Sequence, residues 1–197
     1  MIVYIESNFV LELALEQEQH AACSSILARC ETGTGRLVIP AFSIAEPYQT
    51  LGRRFRERKE LRKRLLRELD LLGRTHSYRA TVDTIRELSD LFVTSQDDED
   101  QRLRGSVDRI LEVAELIPLD TTVIRQASFR PYGLDALDAL VFASVARNME
   151  QADGEKCFLN RNYKDFSDPD LVAFLRTRNC RIFYSFEDAD SFLSNQA

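Results

Sequence analysis

The 197-residue chain carries 44% hydrophobic and 29% charged residues, close to the averages of soluble globular proteins, which excludes a disordered or fibrous chain. Its net charge of -6 excludes a protein that coats nucleic acid through global attraction, so any polyanion must be held locally. No run reaches the roughly 20 apolar residues of a membrane-spanning helix, and the chain opens on strand-like MIVYIE instead of a charged and then apolar leader, so a cytoplasmic protein with no membrane partner is expected.

Residues 2 to 7 alternate β-branched, aromatic and apolar types and predict a strand, after which Asn8 begins a helical pattern through Leu11 and Leu15. A second helix is predicted from Gln17 to about Glu31, closing at a turn with Gly33 and Gly35, and RLVIP supplies a short buried strand. Ser43 opens another helix. Leu51, Phe55, Leu61, Leu65, Leu69 and Leu72 recur at mostly helical steps, which predicts one long helix or a broken pair running toward Gly73. A further helix spans about Arg79 to Val93.

The acidic stretch from Gln96 to Asp100 interrupts the apolar periodicity and is expected as an exposed loop between two antiparallel helices. Beyond a helix carrying Val107, Ile110, Leu111 and Ala114, the segment Glu115 to Asp120 predicts a third buried strand. A helix from Val123 to Phe129, a turn at Pro131-Tyr132-Gly133, and a core helix from Leu134 to about Met149 follow. KCFLN is the fourth strand, Pro169 to Arg178 a helix, and RIFYS the last strand. Strands alternating with helices imply an α/β sandwich around a mostly parallel sheet, with right-handed crossovers covering both faces.

The four cysteines form no CxxC pair and have no histidine at zinc spacing, so a thiolate metal site is not expected. Cys23 and Cys30 stand seven apart on a helix, roughly 10 Å between Cα atoms, too far for a disulfide. His20 and His76 show no partner spacing and are expected at the surface.

Acidic residues fall just past the predicted strand ends: Glu6, Glu46, Asp138 and Asp165. In a parallel sheet the crevice lies at the carboxyl ends of the strands. Like charges gathered there raise one another's pKa or demand a cation, and oxygen-only ligation suits Mg2+ or Mn2+. Plainer roles compete at each position. Glu6 fits a carboxylate at a helix amino terminus, Ser43 to Glu46 fits a capping box, and Asp165 sits in a polar turn. Asp138 interrupts the otherwise apolar LDALDALVFASVA, where an unpaired charge is costly, and Asp135 is either its substitute or a helix-start acid. Asn160 and Asn162 can offer neutral oxygens, and Arg161 is suited to a phosphate.

In order, MIVYIESNFVLEL, IPAFSIAE, LDALDALVFASVA and FLNRNYKDF resemble the segments of the PIN domain family of nucleases, including VapC-like toxin nucleases. The matches place the acids at Glu6, Glu46, Asp138 and Asp165, with Asn8 in the first motif and Asn162 in the last. Two departures are a glutamate at the first position in place of the more frequent aspartate, and Asn162 where several relatives keep aspartate. The resemblance covers roughly residues 1 to 50 and 105 to 190, so the chain is expected to be one PIN-like domain, 1–197, with a helical insertion at about 53–100.

What it implies is a three-layer α/β/α fold, hydrolysis of RNA with Mg2+ or Mn2+, and in many members a toxin restrained by an antitoxin protein. The basic run from Arg53 to Arg67 can hold RNA, or can be a solvated face balanced by Glu57, Glu60, Glu68 and Asp70. The insertion leaves substrate binding, a homodimer contact and simple extension of the core open. The rival to a nuclease is a PIN-like module that binds RNA or protein without cleaving. A dinucleotide oxidoreductase lacks its glycine-rich turn, since ESNFVL follows the first strand.

Overall fold

The computed structural model describes residues 1–196. By packing, the chain divides into two compact units: Met1–Pro47 together with the chain from Leu103 onward, and Tyr48–Arg102.

The first unit is built on five parallel strands, β1 (Ile2–Tyr4), β2 (Arg36–Pro40), β3 (Glu115–Ile117), β4 (Lys156–Leu159) and β5 (Cys180–Phe183), in the order β3-β2-β1-β4-β5. β1, β2 and β4 are almost wholly buried, and their near-continuous apolar runs suit a sheet covered on both faces. Alternation divides the side chains between two cores. Ile2, Tyr4, Val38 and Phe158 pack with α6 (Thr121–Ser128), α7 (Ala136–Gln151) and α9 (Pro169–Thr177), through Val123, Val145 and Leu171 among others.

On the opposite face lie α1 (Ser7–Ala14), α2 (His20–Glu31) and α10 (Phe186–Ser194), where Phe9 and Phe186 meet edge to face at 5.4 Å. The result is an α/β/α sandwich, as the strand–helix alternation predicts. Because β2 and β4 flank β1 and are reached by crossovers in opposite directions, the strand order reverses there and a crevice opens at the carboxyl ends.

Three local expectations change. Residues 96–100 are not a loop but lie inside α5 (Leu91–Leu111). Glu99 accepts from Arg58 at 2.8 Å, so a polar stretch with no apolar stripe is kept helical by pairing. The third strand is not buried: Glu115 and Leu116 are exposed on the sheet edge, and only Ile117 reaches the core. The helix expected from Ser43 begins at Ala41 and runs unbroken as α3 (Ala41–Leu72), with Pro47 inside it. All four cysteines are buried free thiols, Cys23 and Cys30 among them. Gly33 closes α2 with a left-handed φ of +79°, which a side chain would resist.

The second unit is helical. It holds α3 from Tyr48 on, α4 (Arg79–Ser89) and the first part of α5, with Leu51, Leu69 and Val82 buried. Arg62–Asp90 and Arg86–Asp70 pair across it. No helix among the described residues is long and apolar enough to cross a membrane.

Candidate active site

β1 continues one residue past its last ladder pair, where the Ile5 amide donates to the Val38 carbonyl at 3.0 Å, and then delivers Glu6. Glu6 is in extended conformation and caps α1: its Oε2 accepts from the Asn8 amide at 3.1 Å and from the Ser7 hydroxyl at 2.9 Å. The capping role read from the sequence is therefore real, but it uses only one oxygen. Glu6 is 5% exposed, and Oε1 is buried with no hydrogen-bond partner. Burial pushes its pKa up to about 7 against the opposing bonds from Asn8 and Ser7, and the charge of Glu46 pushes the same way.

Asp138 stands in the first turn of α7, not in the helix interior as its apolar surroundings in the sequence suggest. Asp135 is the cap, its Oδ1 accepting from the Leu137 and Asp138 amides at 2.8 and 2.9 Å, so it starts the helix while also lining the cleft. Partial burial raises the Asp138 pKa to about 6, and the charges of Asp135, Asp165 and Glu46 add to the rise. One bond works against them: the Asn162 carboxamide donates to Asp138 Oδ2 at 3.0 Å.

β4 ends on a short turn that sets this bond. Asn160 is 1% exposed; its amide donates to the Phe183 carbonyl at 2.9 Å, and its side-chain oxygen accepts from the Asn162 amide at 2.7 Å. Asn160 therefore shapes the turn and does not line the cleft. Arg161 lines it, yet its guanidinium already donates at 2.6 Å to Glu12, which is almost wholly buried, and lies 3.7 Å from Glu18. Asp165 sits in α8 (Tyr163–Phe166), partly exposed. Glu46 lies on α3, and no capping box holds it, since the Ser43 hydroxyl is buried and unpaired.

Glu6, Glu46, Asp138 and Asp165 line one cleft of about 420 Å3, together with a fifth acid, Asp135, and with Asn8, Arg161 and Asn162. Sequence reasoning missed two supports. Ser7 fixes the first acid, and Glu12 holds Arg161; a glutamate inside the apolar FVLELA was the available sign of the second.

Among the described residues no group of three or more His, Cys, Asp or Glu side chains is arranged to hold a metal ion. The donor set nevertheless fits a hard cation. It is all oxygen, its carboxylates raise one another's pKa, and one buried carboxylate oxygen has no partner. Mg2+ in particular takes one or two protein carboxylates and keeps several waters, so it does not require three closely gathered acids.

The family model of the PIN domain matches residues 3–166, which takes in all four acids and the turn after β4. No curated protein and no solved structure gives a significant match. PIN domains are generally nucleases and typically use divalent metals. With the sheet, the order of its motifs and the extent of that match in agreement, the chain belongs to the PIN domain family.

Proposed function

We propose that the chain is an endoribonuclease that hydrolyses RNA phosphodiester bonds with Mg2+ or Mn2+. The observation that carries this reading is the meeting of Glu6, Glu46, Asp138 and Asp165 in one cleft, with Glu6 Oε1 buried and unpartnered. Glu6 and Asp138 would hold the ion, with Asp165 and Glu46 as further oxygen donors. When bound, such an ion neutralises charge on the scissile phosphate and lowers the pKa of an attacking water.

The chain's own groups prepare the site. Ser7 and the Asn8 amide fix Glu6 through Oε2 and leave Oε1 without a hydrogen-bond partner. Asn162 pins one oxygen of Asp138. Arg161, held by Glu12, retains further N–H donors for a phosphate oxygen, and Asn8 offers a neutral side chain beside it. A toxin role belongs to the same proposal, with an antitoxin segment occluding the acidic cleft.

The test compares wild-type and Asp138→Asn protein on mixed RNA with Mn2+, with Mg2+ and with chelator. Cleavage is expected only in the two metal-containing wild-type samples. Full activity in the variant, or cleavage in chelator, overturns the assignment. One observation favours a second reading, an RNA-binding module without cleavage: Arg53, Arg56, Lys59, Lys63 and Arg67 are all exposed at three- and four-residue steps along α3. That reading predicts RNA retention in chelator and no cleavage in any sample.

A further inference from the structure

A second cavity, of about 580 Å3, is larger than the acidic cleft and lies at the other end of the sheet. Lys156 and Cys180, which begin β4 and β5, both line it, so it opens at the amino ends of strands whose carboxyl ends serve the carboxylates. The geometry points to a binding site for a phosphate monoester in this cavity.

The first reason is Lys156. The residue is 6% exposed, and its ammonium donates to two neutral groups, the carbonyls of Gly154 at 2.8 Å and of Arg178 at 3.4 Å. Among the described residues no carboxylate pairs with it. A buried charge is ordinarily paired, because desolvation is costly unless an opposite charge compensates, and an ammonium has three donors to place. An anion entering the cavity supplies the missing partner.

The second reason is the company Lys156 keeps. Arg176 and Arg181 line the same cavity, and among the described residues the one carboxylate side chain in its lining is that of Glu155. Three cationic side chains against one carboxylate side chain make the described lining net positive. A phosphate monoester carries about -1.5 to -2 at neutral pH with three strong acceptor oxygens, a better partner for several cationic side chains than a singly charged carboxylate. Arg181 also lies over the Phe192 ring at 4.9 Å, so one wall pairs a guanidinium with an aromatic face. The volume exceeds what a bare phosphate fills and lies within the range of small-molecule sites. The shared chemistry is the phosphate group, whether free or borne by a nucleotide, and the inference does not rest on the nuclease reading.

The experiment is calorimetric titration of the full chain in chelator with adenosine 5′-monophosphate, inorganic phosphate and adenosine. Wild-type protein is expected to bind at least one phosphate-bearing ligand saturably and adenosine not at all. Adenosine monophosphate binding more tightly than phosphate names a nucleotide as the source, and equal affinity names free phosphate; either supports the site. The exposed double change Arg176→Gln with Arg181→Gln should weaken binding about tenfold or more, as loss of two charge-assisted bonds entails. Asp138→Asn should leave binding unchanged. Folded wild-type protein that binds neither phosphate ligand, or binding unchanged by the double variant, overturns the inference.

Discussion

The two units use acidic residues in opposite ways. Tyr48–Arg102 carries 13 basic and 11 acidic residues, and its carboxylates find cations: Glu99 meets Arg58, Asp90 meets Arg62 and Asp70 meets Arg86. The α/β unit carries 13 basic and 21 acidic residues, and at the carboxyl end of its sheet acids are set against one another. Where acid is paired at a surface, the charge supports structure modestly. Where it is gathered and partly buried, with the guanidinium of the cleft, Arg161, already held by Glu12, it is held in readiness for a ligand. What distinguishes the candidate site is therefore the missing counter-charge, not the number of acids.

The strongest way to break this contrast is Asp138→Asn. It should lower metal-dependent RNA cleavage by more than about a hundredfold, since even changes to groups that only orient a metal ligand cost 10- to 100-fold. The fold should survive, because the Asp135 cap is untouched. Circular dichroism beside a gel-based cleavage assay reads both.

Glu6→Gln sharpens it through stability. The folded pKa of Glu6 is raised from 4.5 to about 7, so between those values the native state binds more protons than the unfolded one. Stability of the ion-free protein should therefore fall as pH rises through that window and level off above about 7. Asp138, raised from 3.8 to about 6, adds a decline of the same sign over its own window. Replacing Glu6 by neutral Gln removes the larger part, so at pH 8 the variant should be more stable than wild type by on the order of 2 kcal/mol while losing cleavage. Denaturant melts at pH 5 and pH 8 decide it, and equal wild-type and variant stability at pH 8 counts against an unpaired buried charge.

Asn162→Ala should cost about tenfold in kcat/KM for RNA, the lower end expected for a group that orients a metal ligand. Gln at Arg53, Arg56, Lys63 and Arg67 together should weaken RNA binding, and should flatten its dependence on log salt by about 3 if each residue contacts one phosphate of a single strand. The smallest effect belongs to the helical unit's exposed pairs. Arg62→Gln should cost less than about 1 kcal/mol by thermal melting, and a larger loss would erase the distinction between the units.

The strands and the order of motifs were legible because parallel strands buried on both faces leave unmistakable apolar runs, as in RLVIP and KCFL. Asp138 was legible as out of place in an apolar segment, though its position in the first turn depended on where Asp135 capped the helix. The helix through residues 96–100 was not legible, since Glu99 finds Arg58 41 positions away and no local pattern announces that pairing. Nor was the exposure of Leu116, because burial of an edge strand depends on what flanks it, not on its own residues. Asn160 and Asn162 read alike in sequence. Only the fold separates the one that shapes the turn from the one that touches the acid.

Two asparagine bonds in series join the end of β4 to the start of α7: Asn160 holds the Asn162 backbone, and the Asn162 side chain grips Asp138. They behave as the jaw of a calliper, setting the gap between the end of a strand and the far end of the helix that precedes it. A single residue added or deleted between Leu159 and Tyr163 would reset that gap while leaving both elements intact.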